Sequence, residues 1–383
     1  MILNHSPGAR RAFFGGHILR ITSRKAGLAG LALVGTGALV LVGCAPAPED
    51  NGGGDGASSD FLPCMISDAG GFDDKSFNQS GYEGLLQAAE ELGVEPKTVE
   101  SDEGTADYAP GINSLVDQGC NVIVTVGFAL SQATVDAAKA NEDIDFILID
   151  DAADNDFDGT IDAEGIKPLL YNTAEAAFLG GYAAASTSTT GVVGTFGGQP
   201  YPTVTIFMDG FKQGVEYYNE TKGTDVTVLG WDGSEGSFTN GFAAGTEAYN
   251  TAKGLLDQNV DVLLPVGGPI YQSAATAIRD SGKDVALIGV DSDVYESDPS
   301  VADLLLTSIQ KGLKVSVYEA VLAAGNGSFD AAAYVGTLDN DGVGIADFHD
   351  WTDKVKPELA AELDEVKAGI IAGDITVESY LAG

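Results

Sequence analysis

The chain has 383 residues, 44% hydrophobic, with 57 acidic against 19 basic side chains, a foldable composition too long for one small domain. No acidic residue precedes Cys44, so from there on the remaining 14 basic residues face all 57 acidic ones, a formal balance of −43 that repels nucleic acids and anionic lipid surfaces. His349 is the single histidine past residue 17, which rules out a multi-histidine zinc site and leaves any Ser-His-Asp triad dependent on that one residue.

Arg10, Arg11, Arg20, Arg24 and Lys25 precede an uncharged run from Ala26 to Gly43. A spanning helix wants about 20 apolar residues. This run is shorter, rich in glycine and not followed by a basic stop signal, so residues 1–43 read as a secretory signal, with an N-terminal anchor helix as the alternative. Leu41-Val42-Gly43-Cys44 resembles a bacterial lipobox. That resemblance implies cleavage before Cys44 and a lipid on its thiol, anchoring the protein on the extracytoplasmic face of the cell membrane. Residues 44–60, rich in Gly, Pro, Ser and Asp without apolar periodicity, read as a flexible tether. With Cys44 lipidated, Cys64 and Cys120 remain as an even pair in an oxidising compartment. They are expected to form a disulfide, with two buried free thiols as the alternative.

From Phe61 the chain alternates short apolar runs with amphipathic segments. FLPCMI precedes a helix from about Ser76 to Leu92; NVIVTV precedes one over Leu130 to Ala140; DFILID follows. The rhythm repeats after Tyr171: a helix near Ala174 to Ala185, GVVGTF, a helix over Val204 to Tyr218, DVTVLG, and a helix from about Phe242 to Leu256. DVLLPV, a helix near Tyr271 to Ser281 and VALIGV complete it. This is the βαβ alternation of two parallel sheets. The remainder offers a helix around Ser308 to Ala324, a Gly/Asp-rich segment and a helix from about Lys356 to Ala372, too little for a third sheet. It most simply completes the two lobes, so residues 61–171 plus about 305–335 are expected to form the N-terminal lobe, and 172–304 plus about 336–383 the C-terminal one. Repeated crossing makes a hinge, and a ligand between hinged α/β lobes meets the loops at the carboxyl ends of the strands.

The densest signal follows the first strand: Ser67-Asp68-Ala69-Gly70-Gly71-Phe72-Asp73-Asp74-Lys75-Ser76-Phe77-Asn78-Gln79-Ser80. A Gly-Gly turn runs into a helix with Asp74 or Ser76 as N-cap, directing polar side chains and free N–H groups to the crevice; a purely structural loop and cap is the plainer reading. It has neither the GxxxxGK[ST] of a phosphate loop nor the GxGxxG of a dinucleotide fold.

These residues, with VTVGFALSQA (124–133), FILIDD (146–151), LLPVGGP (263–269), IGVDSD (288–293) and LTSIQK (306–311), resemble the basic membrane protein family of substrate-binding lipoproteins, whose characterised members bind purine nucleosides for an ABC importer. The resemblance covers Phe61 to Tyr380 and implies a type I periplasmic-binding-protein fold, two doubly wound parallel-sheet lobes joined by a multi-strand hinge. It further implies that Asp68 hydrogen-bonds the base, with Asn78 in the same motif, and that Phe77 stacks on it. Phe242 is matched to the opposing ring, with Phe238 and Trp231 as alternatives. Asp150, or its neighbour Asp151, falls near the base; Asp291 and Lys311 match the pair that holds the ribose hydroxyls, with the Gly267 backbone close by. Gly127 and Phe128 line the same mouth.

The expected protein is thus a monomeric, lipid-anchored solute-binding protein without catalytic residues, metal or cofactor. It takes a nucleoside, purine foremost, and partners an ABC permease and ATPase. The rival readings are the same fold binding a sugar, autoinducer or other small polar molecule for uptake or sensing, and a nucleoside hydrolase built on the clustered carboxylates.

Overall fold

The computed structural model describes residues 61–102 and 107–381; the expected signal (1–43), Cys44 and the tether (44–60) lie outside the described residues. The first half alternates β1 (Pro63–Ile66), β2 (Lys97–Val99), β3 (Val122–Val126), β4 (Asp145–Ile149) and β5 (Ile166–Tyr171) with α1 (Phe77–Leu92), α2 (Ala109–Asp117) and α3 (Ser131–Ala140). The second half carries β6 (Val192–Gly197), β7 (Thr227–Leu229), β8 (Val262–Val266), β9 (Ala286–Asp291) and β10 (Leu305–Lys311). Its helices are α4 (Thr173–Thr187), α5 (Pro202–Lys222), α6 (Thr246–Leu256), α7 (Ile270–Ser281) and the single turn α8 (Val294–Ser297). Then come α9 (Leu313–Gly325), β11 (Tyr334–Gly336), β12 (Val343–Ile345) and α10 (Leu359–Ala372).

Two six-stranded sheets result, in the orders β11-β5-β4-β3-β1-β2 and β12-β10-β9-β8-β6-β7. Their pairings are parallel except β10 with β12. β1, β3, β8 and β9 are buried end to end, because helices cover both faces of a parallel sheet, and that is why they read as unbroken apolar runs. The two orders are the same path drawn twice, the expected pair of doubly wound lobes.

Among the described residues the chain passes between the lobes three times: from β5 to α4, from β10 to α9, which packs on α1, and from β11 to β12. The lobe boundary expected at residue 305 is corrected by the second of these. β10 pairs with β9 and β12, so residues 305–311 belong to the second lobe and the crossing follows Lys311. The helix expected from Ser308 starts at Leu313 instead, since LLTSIQK mixes polar with apolar residues although nearly all of it is buried, and so shows neither the strand nor the helix period. Similarly α6 begins at Thr246 and not at Phe242, leaving Phe242 in the preceding glycine-rich loop.

Cys64 on β1 and Cys120, just before β3, are joined by a disulfide with Cα atoms 5.9 Å apart. α4, almost wholly buried, crosses α5 at backbone contact: a Cβ on Gly181 would overlap the Phe211 carbonyl, and one on Gly214 the Phe178 carbonyl. Among the described residues no helix is long and apolar enough to cross a membrane.

Candidate functional site

The loops at the carboxyl ends of both sheets enclose a cavity of about 450 Å3, within the usual range for small-molecule sites. All ten residues singled out from the sequence as ligand contacts line it: Asp68, Phe77, Asn78, Gly127, Phe128 and Asp150 from the first lobe, Phe242, Gly267, Asp291 and Lys311 from the second. Tyr108, Gln199, Tyr201, Phe207 and Asn240 line it too, and sequence reasoning missed them.

At one end the β1–α1 loop is braced by its own side chains. The Asp68 amide donates to Asn78 Oδ1 (3.1 Å), while Asp68 Oδ1 accepts from the Gly70 amide (2.9 Å) and Asn78 Nδ2 (2.7 Å). Asn78 Nδ2 also reaches Asp74 Oδ2 at 3.1 Å, so its amide hydrogens are spent on positioning two carboxylates. Asp68 Oδ2 is left over, on the side of Gly127, where an added Cβ would lie 3.1 Å from it. Gly127 holds φ at 103°, a backbone that glycine adopts freely. Burial lifts the Asp68 carboxyl to about 6, against hydrogen bonds from Gly70 and Asn78 that lower it. Tyr108 stands nearby; burial, with Asp68 and Tyr201 adding to it, pushes its hydroxyl up to about 12.

At the other end Asp150 and Asp291 occupy equivalent places, just after β4 and at the close of β9, and both hold left-handed backbone, φ 64° and 68°. Such a conformation is strained for a residue with a Cβ, and strain of this kind concentrates at functional positions. Lys311, at the end of β10, lies 2.5 Å from Asp150 Oδ2 and 3.4 Å from Asp291 Oδ1, with all three side chains under 8% exposed. Burial raises both carboxyls, and Lys311 opposes it. Burial also pulls the ammonium down, but the two carboxylates outweigh that and hold it above its ordinary range. Asp291 Oδ2 accepts from Ser76 Oγ at 3.2 Å. Its Oδ1 feels the Lys311 charge at 3.4 Å, yet the alignment is not that of a hydrogen bond, and the atom has no such partner. A buried acceptor without a donor is costly, and a ligand hydroxyl would satisfy it. Asp150, expected near the base, lines the cavity and shares the Lys311 ammonium with Asp291. Asp151 takes no part in the cavity: its Oδ1 accepts from Ser131 Oγ and the Ala153 amide.

Aromatic surface joins the two ends. Lys311 Nζ sits 5.0 Å from the ring centroids of both Phe77 and Phe207. Phe128, Tyr201 and Phe242 make a row, with centroids 4.9 and 5.9 Å apart. Phe242 lies over Gly198 and Gly267, and a Cβ on Gly267 would come within 2.8 Å of its ring. Of the alternatives, Trp231 donates Nε1 to Asp209 at 2.8 Å and packs edge-on against Phe238; neither lines the cavity. Tyr201 carried a usable signal, since Pro202 after it marks a helix start at the carboxyl end of β6, the counterpart of the β1–α1 loop. Tyr108 carried none, because α2 was itself not recognised.

Away from the cavity, the loop carboxylates of half-buried Asp154 and exposed Asp156 and Asp158 offer oxygens within 4.8 Å of one another and accept from amides of their own loop.

Similarity to known proteins runs the length of this fold. The chain is 27% identical to a CD4+ T-cell-stimulating antigen of Listeria innocua over 91% of its own length and 96% of that protein's. It is also 27% identical to an ABC transporter nucleoside-binding protein, BmpA, of Lactococcus lactis, over 89% and 95% of the two chains. Among solved structures, an ABC transporter solute-binding protein of Aeropyrum pernix superposes with a TM-score of 0.73 at 23% identity, covering 84% of this chain and 94% of that one. The family pattern described as ABC transporter substrate-binding protein PnrA-like matches residues 61–379. With two parallel-sheet lobes around a polar and aromatic cavity, the chain belongs to that family, Bmp, of ABC transporter substrate-binding proteins.

Proposed function

We propose that the protein is the lipid-anchored, extracytoplasmic binding component of an ABC importer and that its cargo is a nucleoside, purine nucleosides foremost. The observation that carries this reading is the adjacency of two recognition surfaces: the Asp150–Lys311–Asp291 cluster lies against the Phe77 ring, with Lys311 Nζ 5.0 Å from the ring centroid. Carboxylates accept from vicinal hydroxyls and an ammonium donates to sugar oxygens, which suits a pentose. An aromatic face beside them suits a planar base, and such stacking contributes about 1–3 kcal/mol per base. Phe242, from the other lobe, is the ring we assign to the second face, and Asp68 Oδ2 the acceptor for a base N–H. The nucleoside-binding relative from Lactococcus lactis supports the same cargo.

Calorimetric titration with inosine, guanosine, adenosine, uridine, ribose and arabinose tests this. Tight binding of purine nucleosides and none of the free sugars is expected; sugar binding of equal strength would replace the reading with that of a sugar-binding protein. Inosine recovered intact after long incubation is expected for a binder, and released hypoxanthine would mark an enzyme. For the anchor, Cys44→Ala is expected to shift the protein from the membrane fraction to the medium.

A further inference from the structure

The start of α1 assigns its capping groups in an uncommon way. Ser76 stands at the N-cap, where a serine hydroxyl ordinarily accepts from the free amides of the first turn, yet it makes no such bond. Asp74 does that work two residues earlier: its carboxylate accepts from the amides of Ser76 (3.0 Å), Asn78 (2.9 Å) and Gln79 (3.1 Å). The hydroxyl so released turns to the other lobe. The single hydrogen of Ser76 Oγ is shared between the Val290 carbonyl oxygen at 2.9 Å and Asp291 Oδ2 at 3.2 Å, and Ser76 is fully buried. Beside it the Lys75 carbonyl accepts from the hydroxyls of Ser292 (3.1 Å) and Ser297 (2.6 Å). Lys75 is another non-glycine residue with left-handed backbone, φ 61°, at the point where the chain enters the helix.

These bonds join groups 214 to 222 residues apart, in different lobes, and none involves cargo. We infer that Lys75 and Ser76 form an interlobe clasp that favours the shut form of the cleft by itself and fixes the carboxylate of Asp291 for ligand. A contact present in only one of two conformers shifts the population toward that conformer, whether or not ligand is bound. When the lobes part, each of these groups exchanges its partner for water, so every bond contributes modestly, but the group acts together. The consequence is preorganisation: apparent affinity scales with the fraction of protein already competent to bind. Ser76 is thus a positioning residue, acting through Asp291 and through closure.

The test uses the whole protein, stripped of bound ligand by exhaustive dialysis, and small-angle X-ray scattering as a readout independent of what the cargo is. The stripped parent is expected to scatter as a mixture weighted toward the shut form. Ser292→Ala/Ser297→Ala, which leaves Asp291 untouched, is expected to enlarge the radius of gyration of the stripped protein and to weaken inosine binding at least fivefold, with saturating inosine restoring the compact form. Ser76→Ala adds the loss of the Asp291 anchor and is expected to weaken inosine binding further, while Ser76→Thr, which keeps the hydroxyl, restores it. A stripped parent that is already open, or a Ser292→Ala/Ser297→Ala protein that scatters and binds as the parent does, overturns the clasp. Should Ser76→Ala not fold, the Ser292→Ala/Ser297→Ala protein decides alone. Should inosine bind no variant and not the parent, the cargo reading falls while scattering still decides the clasp.

Discussion

Asp68 has two oxygens with different duties. Oδ1 is consumed by the Gly70 amide and Asn78, and Oδ2 faces the cavity. Burial raises this carboxyl from 3.8 to about 6, so it changes charge in a pH range where few side chains do. If a base N–H donates to Oδ2, binding requires the ionised form and draws its pKa back down. Affinity is then constant well above pH 6 and falls as pH drops through about 6, by up to tenfold per unit. Titrations of inosine between about pH 5 and pH 8 check this, and Asp68→Asn is expected to abolish the step because an amide does not titrate. An unchanged profile in Asp68→Asn would mean that the proton belongs elsewhere. Nine of the ten cavity residues were legible because they sit in short motifs near strand ends that carry the family resemblance, whereas Phe242 was matched from a glycine-rich loop well past β7. Tyr108 was not: an aromatic side chain outside a motif looks the same whether it faces core or cavity, and only Tyr201, set before Pro202 at a helix start, had a positional cue.

Legibility at the level of elements followed burial. β3 (VIVTV) and β9 (ALIGVD) are covered on both faces and announced themselves as apolar runs. β2 (KTV), β11 (YVG) and β12 (VGI) are three-residue edge strands with partly exposed side chains, held by neighbours and not by their own propensity. β10 (LLTSIQK), with Thr307, Ser308 and Lys311 among its buried residues, did not read as a strand. The glycines of the helices were equally ambiguous, and here structure separates them. Gly214 of α5 meets the Phe178 carbonyl, whereas Gly254 of α6 has nothing within 4 Å of an added Cβ. Gly214→Ala must push α5 off α4 and is expected to destabilise by about 1–3 kcal/mol. Gly254→Ala should gain about 1 kcal/mol from helix propensity alone. Chemical denaturation of the two variants side by side checks the pair, and a Gly214→Ala protein as stable as the parent would show that the α4–α5 contact is not close-packed.

Across the whole molecule the two lobes repeat one plan, and the repeat explains how a cavity acquires its polarity. β4 and β9, which share a position in their sheets, each lead to an aspartate with left-handed backbone, Asp150 just after β4 and Asp291 at the close of β9; β3 and β8 are each followed by a glycine with positive φ, Gly127 and Gly267. The symmetry breaks at the next strand, where β5 ends in Tyr171 and β10 in Lys311. One cation is therefore shared by two symmetry-related carboxylates, a buried group with an excess of negative charge. Lys311 is the only lysine or arginine lining the cavity among the described residues, alongside Asp68, Asp74, Asp150 and Asp291, and the whole chain carries a formal charge of −38. A phosphate entering this cavity would meet carboxylates with the single ammonium already engaged, and at low effective dielectric that repulsion is large. Inosine 5′-monophosphate is accordingly expected to bind at least 100-fold more weakly than inosine. Raising ionic strength from about 0.1 to 1 M should recover part of the loss for the monophosphate, because the long-range share of the repulsion is screened, while leaving the uncharged nucleoside almost unaffected. Equal affinities for the two at low salt would place the 5′ oxygen outside the cavity, in solvent, and would require the pentose to lie the other way round relative to Lys311.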